Sequence, residues 1–253
     1  MKMHVLSGGR LRVRKAMYQP DAPRGDTMDV PVSCILLRHR QGNVLFDTGC
    51  HPDVAENAEA RWGSVAKVIT PIMQPGDNVM TALGGIGLQC DDIDVVLCSH
   101  LHFDHCGCNT FFKRATVIMH AKELEAARAS NAVAAGYLTA EWERPAPPET
   151  IDGERDLFAD GRIVLIPLPG HTPGTTAALV ALEKSGTFLL ASDAVSVRAT
   201  LDTGVVPRNT WNADVLTKSL AEIRRIEARG ATVVCGHDQA QWASLRKGTD
   251  AYE

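Results

Sequence analysis

The densest chemistry in this chain lies in six consecutive residues. His100-Leu101-His102-Phe103-Asp104-His105 places three histidines and an aspartate directly after the apolar run Val95–Cys98. Imidazoles and carboxylates crowded in this way are metal donors. Residues at i and i+2 share a face only on an extended backbone, because on a helix they diverge by about 200°. The loop is therefore expected to leave its strand extended and then curl, so that His100 and His102 reach one point while Asp104 and His105 reach a neighbouring one. Four donors from six residues exceed what a single ion would draw from one loop, so two ions are expected.

Two ions need further ligands, and three polar residues at the ends of predicted strands can supply them. These are His171 in Pro-Gly-His-Thr-Pro-Gly, Asp193 in Ala-Ser-Asp-Ala and His237 in Cys-Gly-His-Asp. Taken singly, each reads as an ordinary hydrogen-bonded histidine or turn aspartate. Together with the loop they complete a set of seven candidate metal ligands: His100, His102, Asp104, His105, His171, Asp193 and His237. Histidine and carboxylate donors suit Zn²⁺ first, then Mn²⁺, Fe²⁺ or Co²⁺, and the lack of a required thiolate separates this set from a cysteine-rich structural zinc site.

Strands, each feeding a polar residue into a loop, must position these groups. Residues 30–49 read as a hairpin turning at Gln41-Gly42-Asn43 and ending in Asp47-Thr48-Gly49. Val79, Leu83 and Ile86 lie on one helical face behind a cap at Asp77, with glycines 84, 85 and 87 ending the helix. Strands are expected at 95–100 and 115–120, followed by a helix through 121–136. Three prolines within 145–148 make 143–156 a surface excursion or lid. Further strand-then-loop units at 163–174 and 186–194 precede a helix over 212–230, with Leu216, Leu220 and Ile223 on one face, Asn212 as cap and Gly230 as stop. A last strand follows in 231–238. The echo between residues 42–49 and 186–194, each a glycine and a strand ending in aspartate, suggests two sheets facing each other with helices outside.

Bulk properties narrow the class. A chain of 253 residues, 45% hydrophobic and 22% charged, is expected to form one domain over 1–253. A net charge of -4 carries no general basic footprint for nucleic acid or an anionic membrane. The N-terminal stretch lacks an apolar signal core, and no apolar run is long enough to span a bilayer. Seven scattered cysteines suit reduced thiols in a cytoplasmic protein. Cys106 and Cys108, beside the histidine loop, are read as packing residues, and His4, His39, His51 and His120 as structural.

His100-x-His102-x-Asp104-His105 followed in order by His171, Asp193 and His237 resembles the metallo-β-lactamase superfamily. Within it, Ser99–Gly107, Pro169–Gly174 and Ser192–Ala194 look most like the N-acyl-homoserine lactonases and the related 4-pyridoxolactonase. The resemblance implies an α/β fold, an αββα four-layer sandwich of two facing mixed β-sheets with helices outside. It further implies two divalent ions, one held by His100, His102 and His171, the other by Asp104, His105 and His237, with Asp193 bridging. The activity implied is lactone opening by a metal-bridging hydroxide, with Asp104 or Asp193 relaying a proton to the leaving alkoxide. Asp47 either orients a ligand from behind or caps its own turn.

Two departures bear on substrate. Ser196 stands where those lactonases carry a tyrosine, so either Tyr137 or Tyr18 substitutes from another segment, or the substrate differs. Cys108 stands where glycine is common. Phe103, Tyr137 and Ser196 are the candidate pocket residues, with walls expected from 17–28, 60–75 and 130–155. An N-acyl-homoserine lactonase that quenches quorum signals is the expected activity. The alternatives are a hydrolase of another lactone or ester, such as a 4-pyridoxolactone-like compound, or of a phosphotriester or thioester. A metal-bound scaffold without activity is disfavoured because all seven ligands are present. True β-lactamases of this fold usually lack the histidine matching His105, and glyoxalase II carries an extra domain for which too few residues follow His237. The expected partner is a small lactone or ester, bound by a monomer or homodimer.

Overall fold

The computed structural model describes residues 1–253. The strands are β1 (Lys2–Arg14), β2 (Thr27–His39), β3 (Gly42–Phe46), β4 (Thr70–Pro71), β5 (Val95–Leu97), β6 (Thr116–His120), β7 (Glu149–Ile151), β8 (Arg155–Asp156), β9 (Ile163–Pro167), β10 (Thr176–Leu182), β11 (Gly186–Ser192) and β12 (Thr232–Cys235). They form a seven-stranded sheet in the order β4-β1-β2-β3-β5-β6-β7 and a five-stranded sheet in the order β12-β11-β10-β9-β8. Both are mixed: β3, β5, β6 and β7 run parallel on an antiparallel β1–β2–β3 meander, and β12 runs parallel to β11 in an otherwise antiparallel sheet. The helices are α1 (Val54–Trp62), α2 (Val79–Gly84), α3 (Phe103–Cys106), α4 (Ala121–Ala127), α5 (Thr139–Trp142), α6 (Arg198–Thr203), α7 (Ala213–Glu227) and α8 (Gln239–Ser244).

Side-chain alternation with a period of two decides the layers. Ile35, Leu37, Val44, Phe46, Leu97 and Ile118 of the larger sheet point inward and pack on Leu165, Val180, Phe188, Leu190 and Val234 of the smaller one. Their neighbours Leu36, Leu45, Val96 and Val117 point the other way, onto Val79 and Leu83 of α2 and Ala127 of α4. On the far side, Leu189, Ala191 and Val233 meet Leu216, Leu220, Ile223 and Ile226 of α7. The result is the expected order of helix, sheet, sheet and helix. Both faces of each sheet are covered, which is why β5, β6, β11 and β12 read as continuous apolar runs.

α7 keeps its predicted ends: the Asn212 side chain accepts from Val215 N at 3.1 Å, and Gly230 adopts a positive φ of 99° just past the helix. α2 is capped by Asn78 rather than Asp77, with Asn78 accepting from Thr81 N at 3.1 Å. α4 stops at Ala127 instead of running to 136, and its N-terminal cap is His120.

The stretch 143–156 is not a lid. Its Glu149–Ile151 pairs in parallel with β6 and its Arg155–Asp156 pairs with β9, so it carries the chain from one sheet to the other. Ile151 is buried in the core between the sheets, and that apolar anchor outweighs the nearby prolines. The long β1 is unannounced by simple alternation because its register with β2 shifts between Ser7 and Gly9, which moves the apolar residues from one phase to the other.

No helix is long and apolar enough to cross a membrane. All seven cysteines are free, and Cys106 and Cys108 are fully buried in the core. Leu190, 1% exposed, sits between the sheets two residues before the end of β11. Leu190→Ala should cost about 2–5 kcal/mol of stability, read as a lower denaturation midpoint with the fold retained.

Candidate metal centre

β3 and β5 run parallel, β11 and β12 run parallel, and β9 and β11 are both antiparallel to β10. The C-terminal ends of the strands therefore open toward one edge of the sandwich, and the residues just beyond them are Asp47, His100, His171, Asp193 and His237. Carboxyl ends of strands are where loop side chains converge on a common crevice. Local strain marks the same edge: Asp47 and Ser192, neither a glycine, have φ of 59° and 46°. His100 and His102 leave β5 in extended geometry, and α3 then turns Asp104 and His105 toward the neighbouring point, as the spacing predicts.

All seven candidate ligands meet. Their donor atoms fall into three groups, His100–His102–His171, His100–His105–Asp193 and Asp104–His105–His237, each with atoms within 4.8 Å of one another. His102 Nδ1 lies 3.0 Å from His171 Nε2, and His105 Nε2 lies 3.3 Å from His237 Nε2. Asp193 spans the groups: Oδ2 lies 3.4 Å from His171 Nε2, while Oδ1 lies 3.1 Å from His237 Nε2 and 3.7 Å from His105 Nε2. Asp104 Oδ2 stands 3.6 Å from His237 Nε2 and 3.8 Å from His105 Nε2.

The far side of each ring shows what the near side needs. His105 Nδ1 donates to Asp47 Oδ2 at 2.9 Å, His237 Nδ1 to the Pro31 carbonyl at 2.9 Å, His102 Nε2 to the Ala135 carbonyl at 3.0 Å, and His100 Nδ1 to Ser99 Oγ at 2.9 Å. On these four rings the proton thus sits on the outer nitrogen, and the inner nitrogens of His105 and His237 present lone pairs to each other. Facing lone pairs about 3 Å apart repel unless a cation lies between them. His100 Nε2 and Asp193 Oδ1 are buried with no hydrogen-bond partner, the same unmet demand. Tetrahedral Zn–N bonds of about 2.0–2.1 Å would set neighbouring nitrogens about 3.4 Å apart, close to the spacings found. The residues present fit two divalent cations.

The electrostatics agree. Burial depresses His105, but Asp104, Asp47 and Asp193 overcome it and raise its pKa to about 10. His237 is likewise raised, with burial opposed by Asp193. Burial and three neighbouring histidines hold His100 well below its ordinary value. One side of the site thus calls for positive charge and the other offers neutral imidazole, and a cation answers both.

Asp47 is the post behind the loop. Its carboxylate accepts from Ser99 N and Ser99 Oγ, both at 2.7 Å, as well as from His105. These bonds hold His105, a candidate ligand, from behind, which is the geometry of the first of the two roles open to Asp47 in the sequence. Ser192 Oγ, 2.8 Å from Ser99 Oγ, ties the two sheets together here. Ser99, Ser192 and Glu123 were absent from the sequence-derived set. Ser99 is adjacent to the motif and Ser192 to Asp193, but Glu123 lies on a helix with no sequence signal.

A cavity of about 570 Å³ opens above the centre, reaching His102, Asp104, His171 and Asp193. Phe103, Tyr137 and Tyr18 line it, as do Met17, Ile69 and Asn131 from the expected wall segments. Arg208–Trp211 and the α4 side also contribute, from stretches without a motif. Ser196 does not line it: 2% exposed, it lies behind His237 and accepts from His237 N through its carbonyl at 2.7 Å. His4, His39, His51 and His120 stay outside the cluster; His120 caps α4 and His39 pairs with Asp160 at 3.0 Å.

Residues 27–237 match the family model of the metallo-beta-lactamase superfamily. The chain belongs to that superfamily. It is 29% identical over 260 residues to an N-acyl homoserine lactonase, AttM, of Azorhizobium caulinodans, covering 100% of this chain and 99% of the relative. It is 32% identical over 277 residues to the N-acyl homoserine lactonase AiiB of Agrobacterium fabrum, covering 99% and 98%. Among solved structures, an N-acyl homoserine lactone hydrolase with N-hexanoyl-L-homoserine at its catalytic metal center superposes with a TM-score of 0.90 at 25% identity, over 99% of this chain and 98% of that one.

Asp47→Ala removes the acceptor for His105 and for the Ser99 backbone. In this superfamily member it should weaken metal binding by about 10–100-fold, measured by competition with a chromogenic chelator.

Proposed function

We propose that the protein is a two-metal N-acyl-homoserine lactonase. The observation that carries the two-metal reading is Asp193, whose two carboxylate oxygens face different groups of histidine nitrogens. His100, His102 and His171 would hold one ion, Asp104, His105 and His237 the other, and Asp193 both. Zinc suits the donor set best. The substrate class rests on the lactonase relatives and on a cavity that combines the polar floor with apolar walls from Met17, Ile69 and Phe103. Free cysteines suit work in the reducing cytoplasm, and the chain acts as one domain over 1–253.

Bound there, the two ions would supply Lewis acidity at the lactone carbonyl and make a water acidic enough to attack it near neutral pH. The protein's own groups do the rest. Asp104, at the cavity floor, has a carboxylate that can take the proton the attacking water gives up and pass it to the leaving alkoxide as the ring opens. Asp193, whose two oxygens face different histidine groups, would serve to hold the site. Phe103, packed on Trp62 with ring centroids 4.5 Å apart, walls the acyl side and excludes water.

Tyr18 takes the place left by Ser196. It lines the cavity, as Asp104 and Asp193 do, and stacks on His237 with centroids 5.9 Å apart; burial, and then Asp193 and Asp104, hold its phenol well above the ordinary value. Its hydroxyl can donate to the oxygen that gains charge when the carbonyl is attacked. Tyr137 instead packs on His102 at 5.3 Å with its hydroxyl buried. A second reading, hydrolysis of a different lactone or ester, is favoured by one observation: Ser196 is shut away from the cavity, so the oxyanion donor reaches the site from another direction.

The purified protein loaded with zinc should contain close to two ions per chain by elemental analysis, and Asp193→Ala should lose metal and activity together. In a pH-indicator assay of lactones, esters, phosphotriesters and β-lactams, acyl-homoserine lactones should be turned over fastest; a faster ester or other lactone would select the second reading. Tyr18→Phe should lower kcat by about 10²-fold with metal content unchanged.

A further inference from the structure

Glu123 is a fully buried carboxylate, 0% exposed, in the first turn of α4. Its hydrogen-bond partners are all neutral donors. Oε1 accepts from Leu101 N at 2.9 Å; Oε2 accepts from Thr172 Oγ1 at 2.7 Å and from Gly174 N at 3.0 Å. A charge taken out of water without a countercharge is costly, so the place of this one calls for a reason.

Its partners supply one. Leu101 lies between His100 and His102, and Thr172 follows His171, so one carboxylate grips both loops that deliver the His100–His102–His171 group. There is little slack in that grip: a Cβ at Gly174 would run into the backbone of Glu123. Asp47 grips the other side in the same manner, through Ser99 and His105. The centre is thus flanked by two buried carboxylates, Glu123 behind the two loops of the His100–His102–His171 group and Asp47 behind His105 and, through Ser99, His100.

We propose that Glu123 is the positioning residue for the ion held by His100, His102 and His171, fixing the separation of the two loops that supply these ligands and leaving its negative charge to be balanced by that ion. The inference rests on the two-metal reading above. Glu123 touches neither ion nor substrate. It acts through the Leu101 and Gly174 amides and the Thr172 hydroxyl, and Glu123→Gln keeps its size while turning one acceptor into a donor aimed at a donor.

The test uses the full chain loaded with zinc and titrated with a chelator, and then loaded with cadmium-113, in which each ion gives its own resonance. In Glu123→Gln one ion should be lost about 10–100-fold more readily while the other keeps its wild-type affinity, with one cadmium resonance shifted, the same one that Thr172→Val shifts, and the other left in place. Equal affinity for both ions in Glu123→Gln and wild type overturns the inference, as does an equal shift of both resonances in Glu123→Gln. If Glu123→Gln does not fold, Thr172→Val, which keeps the carboxylate and both backbone donors, should still weaken that one ion; unchanged affinity in it also overturns the proposal. A wild-type protein that holds fewer than two ions would instead defeat the two-metal reading itself.

Discussion

Lone pairs that face one another at the open edge of the sandwich are the constraint on which the rest of the site depends. Four histidines give up their outer protons to Asp47, Pro31, Ala135 and Ser99, and what remains inside is a set of nitrogens and carboxylate oxygens about 3–4 Å apart. Such an arrangement holds its shape only if each ring is fixed from behind, since nothing between the inner atoms attracts in the absence of positive charge. The hydrogen bonds behind the rings are therefore as much a part of the centre as the donors in front.

Those supports come from both sheets. Pro31 on β2 of the larger sheet holds His237 at the end of β12 in the smaller one, Ser99 meets Ser192 across the gap, and the Ser99 carbonyl accepts from Thr176 N at 2.9 Å. The inter-sheet core of Ile35, Leu97, Leu190 and Val234 fixes the distance over which these bonds must reach. Packing and coordination geometry are thus linked: a slip of one sheet against the other would move Asp193 and His237 away from the loop at 100–105.

Much of this was legible in the chain. Metal donors identify themselves by type and spacing, since few other environments gather three histidines and an aspartate in six residues, and parallel strands buried on both faces identify themselves by continuous apolar runs. The hairpin at 30–49, the strands before each ligand and the amphipathic α7 follow from such local patterns. Where local pattern and tertiary contact disagreed, contact prevailed. Glu149–Ile151 became a strand, despite the prolines just before it, because β6 offered an edge and the core a place for Ile151. Ser196, read as a pocket residue from its offset to Asp193, turned inward because its carbonyl is needed by His237.

The sequence by itself determined the set of candidate donors and the strands that lead into them, because both depend on residue type and short-range periodicity, and the order of that motif carried the resemblance to the superfamily. Only the tertiary structure decided which groups stand behind the donors and which line the cavity. Glu123 sits 22 residues from Leu101 and 49 from Thr172, and Tyr18 reaches His237 from the opposite end of the chain. A buried carboxylate on a helix has no pattern of its own, and Tyr18 was one of two tyrosines the sequence offered with nothing local to choose between them. They gain a role only when folding brings them to a charge or a ring, and that distance in sequence is what no local reading can span.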